Sequence, residues 1–197
     1  MTPQAESVLD LFRAAGAYLE GHFRLTSGLH SPNYMQCALV LRHPAVAEEL
    51  GSRLAAAIRA MVAEPVSLVV SPALGGLIIG HEVARALGTP FLFTERDPES
   101  RKMVLRRGFT VQPGEAAVVI EDVITTGGST RDVVDCLQAA GARVIAAGSI
   151  IDRSGGTADV GVPRVALVTL QVEAHRPEDC PLCRQGLPVV KPGSRPA

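Results

Sequence analysis

The chain has 197 residues, of which 47% are hydrophobic and 20% charged, and its net charge is −1. This composition suits one soluble globular domain with a substantial core, and it excludes an overall basic field for nucleic acid or anionic membrane. No apolar run is long enough to span a bilayer, and Met1-Thr2-Pro3-Gln4-Ala5-Glu6 lacks the basic start and apolar core of a signal peptide, so a cytoplasmic protein is expected.

Thr2 and Pro3 open a first helix as cap and first-turn residue, with Val8, Leu9, Leu11 and Phe12 as its apolar stripe and Gly16 at its end. Residues 21–41 read as extended segments and turns. A second helix runs from Pro44 to Met61, with apolar residues at 46, 50, 54, 58 and 61. After Pro65 strands and helices alternate: strand 67–70, helix 76–87, strand 90–93. Residues 94–102 are polar and break the pattern. Extended stretches 103–105 and 109–111 follow around Arg106-Arg107-Gly108 and can form a hairpin. The alternation resumes with strand 117–121, helix 129–140 and strands 143–151 and 164–170. The expected class is α/β, a mainly parallel central sheet flanked by helices. Ligands in such sheets sit at the carboxyl ends of strands, which brings loops 71–76, 94–102, 121–129 and 151–153 to one edge. Residues 190–197 form a frayed tail.

The run Val118-Val119-Ile120-Glu121-Asp122-Val123-Ile124-Thr125-Thr126-Gly127-Gly128-Ser129-Thr130 is the most informative stretch. It reads as a buried strand, a loop at its carboxyl end and a helix whose amino end faces that loop. Free N–H groups and the positive dipole end of such a helix suit a phosphate, and the glycines let the backbone come close. Glu121 and Asp122 would repel a bare phosphate. They fit a phosphorylated ribose, accepting hydrogen bonds from sugar hydroxyls while the turn holds the 5′-phosphate. The competing reading is an ordinary strand-to-helix turn with a solvated acidic pair.

Ser71-Pro72-Ala73-Leu74-Gly75-Gly76 also lies between a strand and a helix, where it can cradle an anion or merely allow close packing. Lysine usage singles out the polar loop: of nineteen basic residues only Lys102 and Lys191 are lysine. A compact, mobile ammonium at Lys102 suits a functional loop, against the alternative of a solvated one. Arg153 can grip a carboxylate with two prongs, or pair with Asp152. Four cysteines, at 37, 136, 180 and 183, are too few for a disulfide scaffold. Cys136 is expected as a small buried residue of a helix. Cys180-Pro181-Leu182-Cys183 has zinc-like spacing, but only His175 lies nearby in sequence, so reduced thiols are the favoured reading. None of the five histidines (22, 30, 43, 81, 175) makes a paired-ligand spacing. No nucleophile-with-base arrangement stands out, which fits direct displacement at a sugar carbon.

The 118–130 run resembles the phosphoribosyl-pyrophosphate (PRPP) motif of the type I phosphoribosyltransferases. Further stretches are similar to the orotate-specific branch of that family: Phe23 to Gly28 with Ser31-Pro32-Asn33-Tyr34, Ser71 to Gly76, Lys102 to Phe109, and Ile151-Asp152-Arg153. The resemblance covers about residues 5–155. It implies one phosphoribosyltransferase domain over 1–197, with an N-terminal helix and base-covering hood over about 1–45 and an α/β core over about 65–172. It implies transfer of phosphoribosyl from PRPP to orotate, with Lys102, Glu121 and Asp122 catalytic. PRPP would be bound by Ala73, Gly75, Gly76, Arg96, Arg101, Lys102 and the Glu121, Asp122, Val123, Ile124, Thr125, Thr126, Gly127, Gly128 and Ser129 run. Orotate would be bound by Thr26, Ser27, Tyr34, Thr125 and Arg153. Mg²⁺ is the implied cofactor, held mainly by PRPP near Asp122, and a homodimer would use loop 94–102 to complete the partner's site. The chain departs from common family patterns at Gly75 and Thr26, where lysines often stand, and its polar loop lacks a histidine. A phosphoribosyltransferase for another base is the rival enzyme, disfavoured by the Asp-Arg pair. A PRPP-sensing RNA-binding regulator is the rival of another class, disfavoured by balanced charge.

Overall fold

The computed structural model describes residues 2–25, 28–171 and 173–192. Helix α1 (Pro3–Ala14) is capped by Thr2, whose Oγ1 accepts a hydrogen bond from the Ala5 amide at 3.2 Å. Strands β1 (Tyr18–Arg24) and β2 (His30–Met35) form a separate antiparallel pair, and a short helix α2 (Cys37–Leu41) leads into α3 (Pro44–Met61). Then come β3 (Leu68–Pro72), α4 (Gly76–Leu87), β4 (Phe91–Arg96), β5 (Met103–Leu105), β6 (Ala116–Ile124), α5 (Gly128–Ala139), β7 (Arg143–Asp152), β8 (Arg164–Thr169) and the short α6 (Pro181–Arg184). Among the described residues no helix is long and apolar enough to cross a membrane.

The main sheet has the order β5-β4-β3-β6-β7-β8, parallel throughout except for β5. Both faces are covered, and β6 shows why its apolar run is continuous rather than alternating. Val118 and Ile120 join one cluster with Leu50, Leu54 and Ile58 of α3 and Ile79 of α4. Ala117 and Val119 join the other, with Val133 and Leu137 of α5. Full burial of each large aliphatic side chain contributes roughly 1.5–3 kcal/mol.

The order of strands reverses between β3 and β6. The chain winds outward from β3 to β4, then returns past β3 to build β6, β7 and β8 on the other side. Connections on opposite faces diverge there, so a crevice opens at the carboxyl edge between the loops after β3 and β6.

Two extended expectations change. Residues 109–111 form no strand; β5 instead pairs antiparallel with β4, Arg96 opposite Met103 and Thr94 opposite Leu105. Residues 94–96 of the polar segment therefore continue β4, and 97–102 form the tip of a β4–β5 hairpin, where the Asp97 side chain accepts from the Ser100 amide at 2.8 Å and turns the chain. Cys136 lies in α5 as expected, though it is half-buried. Thr26, Ser27 and residues 193–197 of the expected tail lie outside the described residues.

Helix α4 sits very close to β3, and glycine makes this possible. A Cβ at Gly80 would lie 2.0 Å from Ser71 Oγ and 2.6 Å from the Phe91 ring. Gly80→Ala should therefore destabilise the chain by about 1–3 kcal/mol. Thermal denaturation should show Tm falling by roughly 2–4 °C per kcal/mol.

Candidate active site

Strand β6 carries its apolar side chains into both layers and delivers Glu121 and Asp122 at its carboxyl end. Gly127, at φ +82°, makes the left-handed turn into α5, whose first turn has no side-chain cap. A Cβ at Gly127 would stand 2.9 Å from Val160, so the loop packs tightly on its neighbour. The amide-lined end of α5 is thus held beside the two acids. On the other side of the crevice a Cβ at Gly75 would lie 2.8 Å from Asp122 Oδ1. One at Gly76 would lie 2.9 Å from the Ile120 carbonyl oxygen. The close-packing reading of the Gly75-Gly76 turn holds: Gly76 lies against the Ile120 carbonyl, and Gly75 brings bare backbone against Asp122. The loop between them and β3 contains a cis peptide at Ala73-Leu74, and its Ala73 amide donates to the Thr94 carbonyl at 2.9 Å.

The acids are electrostatically unsettled. Burial and the adjacent Asp122 charge push the Glu121 carboxyl well above its ordinary range, and burial raises Asp122 as well. No cationic side chain pairs with either among the described residues. A pair kept short of positive charge suits a ligand rich in hydroxyls or a bound divalent cation.

A cavity of about 400 Å³ lies next to this end of β6, lined by Asp122, Thr125 and Thr126, by Arg153 after β7, and by Tyr34 of β2. The Arg153 amide donates to the Ile124 carbonyl at 2.8 Å, which ties the β7 loop to the β6 loop. The alternative reading, an Asp152–Arg153 pair, does not hold. Asp152, fully buried, bonds Arg164 at 2.6 Å and the Ser154 hydroxyl at 2.6 Å. Burial alone would raise Asp152, but Ser154 and Arg164 outweigh it and hold the carboxyl below its ordinary value. Among the described residues the Arg153 guanidinium has no ion pair, and burial lowers its pKa, with Tyr34 and Cys37 opposing. A half-buried arginine without an ion pair, lining a cavity, has the geometry and charge to accept a planar carboxylate.

Glu121, Asp122, Val123, Ile124, Thr125, Thr126, Gly127, Gly128, Ser129, Ala73, Gly75, Gly76, Tyr34 and Arg153 therefore converge on one edge. Arg96, Arg101 and Lys102 do not join the cavity. Arg96 bonds Asp132 of α5 at 2.9 Å and the Arg101 carbonyl, and Lys102 lines a separate recess with Asp132, Asp135 and Cys136. Sequence reasoning missed the apolar wall of the cavity, Leu25, Leu29, Met35, Cys37 and Ala174. Leu25 and Leu29 flank the Thr-Ser-Gly stretch and were open to that reading; Ala174 comes from a distant segment that no local pattern links to the site. The expectation that only His175 could join Cys180 and Cys183 is also corrected: His22 and His30 stand beside the two thiols.

The Phosphoribosyl transferase domain family matches residues 39–180. The chain is 53% identical over 190 residues to the orotate phosphoribosyltransferase of Heliobacterium modesticaldum, covering 96% of this chain and 98% of that protein. It is 53% identical over 185 residues to the corresponding Carboxydothermus hydrogenoformans protein, covering 94% and 95%. Among solved structures, orotate phosphoribosyltransferase from Aeropyrum pernix superposes with a TM-score of 0.66 at 26% identity, covering 83% of this chain and 94% of that one.

The raised Glu121 predicts a pH dependence. The folded, ligand-free chain holds the Glu121 proton more tightly than the unfolded chain does, so the stability from that proton is present at low pH and is lost as pH rises through the raised value. Glu121→Gln needs no such proton. From the ordinary carboxylate range up to neutral pH, its Tm should gain on the wild type by a few degrees, roughly 2–4 °C per kcal/mol. Differential scanning fluorimetry across that range checks this, and a constant Tm difference would rule it out.

Proposed function

Because the chain belongs to the orotate phosphoribosyltransferase family, we infer that the cavity beside β6 is where PRPP and orotate meet. The enzyme is a pentosyltransferase that transfers the 5-phosphoribosyl group of PRPP to orotate, giving orotidine 5′-phosphate and pyrophosphate in pyrimidine biosynthesis. The observation that carries the site assignment is Arg153, an ion-pair-free guanidinium sharing one cavity with Asp122, Thr125 and Thr126.

In this reading the amides and hydroxyls of Thr125, Thr126, Gly127, Gly128 and Ser129 hold the 5′-phosphate, and the Val123-Ile124 backbone leads into that cradle. Glu121 and Asp122 accept the ribose hydroxyls and ease positive charge on an oxocarbenium-like ring. Backbone at Ala73, Gly75 and Gly76 receives the pyrophosphate, an amide-only cradle with no lysine at 75. Arg153 grips the orotate carboxylate, and Tyr34 and Thr125 flank the base together with Thr26 and Ser27.

The carboxylate oxygens of buried Glu121 and half-buried Asp122 are hard donors of the kind Mg²⁺ prefers. When bound, Mg²⁺, held mainly by PRPP with Asp122 beside it, would neutralise charge on the departing pyrophosphate. The protein is proposed to act as a cytoplasmic homodimer in which Arg96, Arg101 and Lys102 of one protomer close over the pyrophosphate of the other. That proposal is supported by the position of Lys102 on the outer side of α5, outside its own chain's Arg153 cavity. Closure would also exclude water from the reacting sugar.

Loss of orotate absorbance in the presence of PRPP and Mg²⁺ tests the reaction directly. Lys102→Ala should lower kcat by about 10²–10³ with little change in KM for orotate. Arg153→Ala should raise KM for orotate roughly ten- to a hundredfold. Mixing the two variants, assayed at orotate far below the raised KM so that neither alone turns over appreciably, tests the shared site. One functional site in half of the statistically mixed dimers should restore roughly a quarter of wild-type turnover. No recovery would place Lys102 in its own chain's site.

A further inference from the structure

Four side chains outside the cavity face one another with nothing in the reaction to occupy them. They are His22 of β1, His30 of β2, Cys180, and Cys183 of α6. His22, His30 and Cys180 are buried and Cys183 is half-buried. One ligand atom from each lies within 4.8 Å of all the others. His22 Nε2 is 2.9 Å from His30 Nδ1, 3.5 Å from Cys180 Sγ and 3.7 Å from Cys183 Sγ, and His30 Nδ1 is 3.3 Å from Cys183 Sγ. A tetrahedral ion with bonds of about 2.0–2.1 Å to nitrogen and about 2.3 Å to sulfur needs its donors roughly 3.3–3.8 Å apart. The cluster already has nearly that spacing.

The backbone is arranged to produce it. The register of β1 against β2 shifts between Glu20 and Phe23, and the consecutive residues His22 and Phe23 are both buried. A regular strand would send one of them outward; the bulge turns His22 inward. The turn Pro177–Asp179 and helix α6 bring both thiols of Cys-Pro-Leu-Cys to the same side. His22 Nδ1 lies 2.8 Å from the Leu187 carbonyl oxygen, so this nitrogen carries the proton and Nε2 offers its lone pair to the cluster. Two buried imidazoles and two thiols satisfy one another poorly, since thiols are weak donors and acceptors.

We propose that His22, His30, Cys180 and Cys183 bind one Zn²⁺ in a closed, four-ligand structural site that fastens the carboxyl-terminal segment to the β1–β2 pair. Two imidazoles and two thiolates in a tetrahedron are a zinc donor set, and four protein ligands leave no open position for catalysis. On binding, the two thiol protons leave and His30 keeps its proton on Nε2. The site joins segments that the backbone also joins: His30 and His175 exchange two bonds of 2.8 Å, and Val190 accepts from Arg24 at 2.9 Å and donates to His22 at 2.8 Å. The fastened elements carry Leu25, Leu29, Tyr34 and Ala174, so the ion acts as a positioning element for one wall of the cavity.

The untagged full chain, purified without chelator, should hold about one zinc per chain by plasma mass spectrometry. Cys180→Ser/Cys183→Ser should hold none. Co²⁺ added to chelator-stripped wild type should give intense visible bands of tetrahedral cobalt and a thiolate charge-transfer band, both absent in His22→Asn. If the double variant does not fold, refilling stripped wild type with Zn²⁺ provides the reading, with Tm rising by roughly 5 °C or more. Wild type that holds no zinc and gives no tetrahedral cobalt spectrum overturns the proposal, as does equal zinc in the double variant or a different resident metal. KM for orotate should rise severalfold on stripping and return on refilling.

Discussion

The two loops that flank the crevice between β3 and β6 can approach each other because bare backbone stands at position 75. Any larger residue there would set its Cβ 2.8 Å from an Asp122 carboxylate oxygen. That contact keeps the two loops close enough to act on one small molecule. It also leaves only backbone, and no side chain, at that point of the crevice. Glycines 76 and 80 extend the same constraint down the helix, where Ser71 and Phe91 leave no room for a methyl group. The approach of α4 to β3 and the approach of Gly75 to Asp122 are one geometric requirement at successive turns.

Around that crevice the charges are deliberately left incomplete. Arginine dominates the cations of this chain, and several have carboxylate partners on the surface: Arg13 with Glu6, Arg107 with Glu95, Arg131 with Asp159. Such exposed pairs contribute little, about 0–1 kcal/mol each. Arg153 is the contrast, because its sequence neighbour Asp152 is occupied by Arg164 and Ser154. Buried Glu121 and half-buried Asp122 likewise lack a cationic partner among the described residues. The fold tolerates these costs because β6 and β7 are anchored in two apolar layers.

Much of this arrangement was readable from residue order. The 3.6-residue spacing of α3, the Thr2 cap and the continuous apolar run of β6 each identify an element without tertiary information, and the acid-hydroxyl-glycine succession marks the turn from β6 into α5. What was not readable depended on pairing at long range. Residues 103–105 look equally able to pair forward or backward, and only the sheet edge at β4 decides. The role of Asp152 hinges on Arg164, which lies on another strand. The histidines beside Cys180 and Cys183 come from a hairpin more than 150 residues away, and a bulge, which has no composition signature, aims one of them.

The backbone bridges from His175 to His30 and from Val190 to Phe23 have a bearing on how the protein is made. During synthesis the amino-terminal hairpin leaves the ribosome long before its partners do. The α/β layers can close around β3 to β8 while that hairpin still has a bare edge. The cavity wall formed by Leu25, Leu29, Tyr34 and Ala174 can therefore be finished only once translation has passed residue 190, after the loop at the end of β6 is already complete.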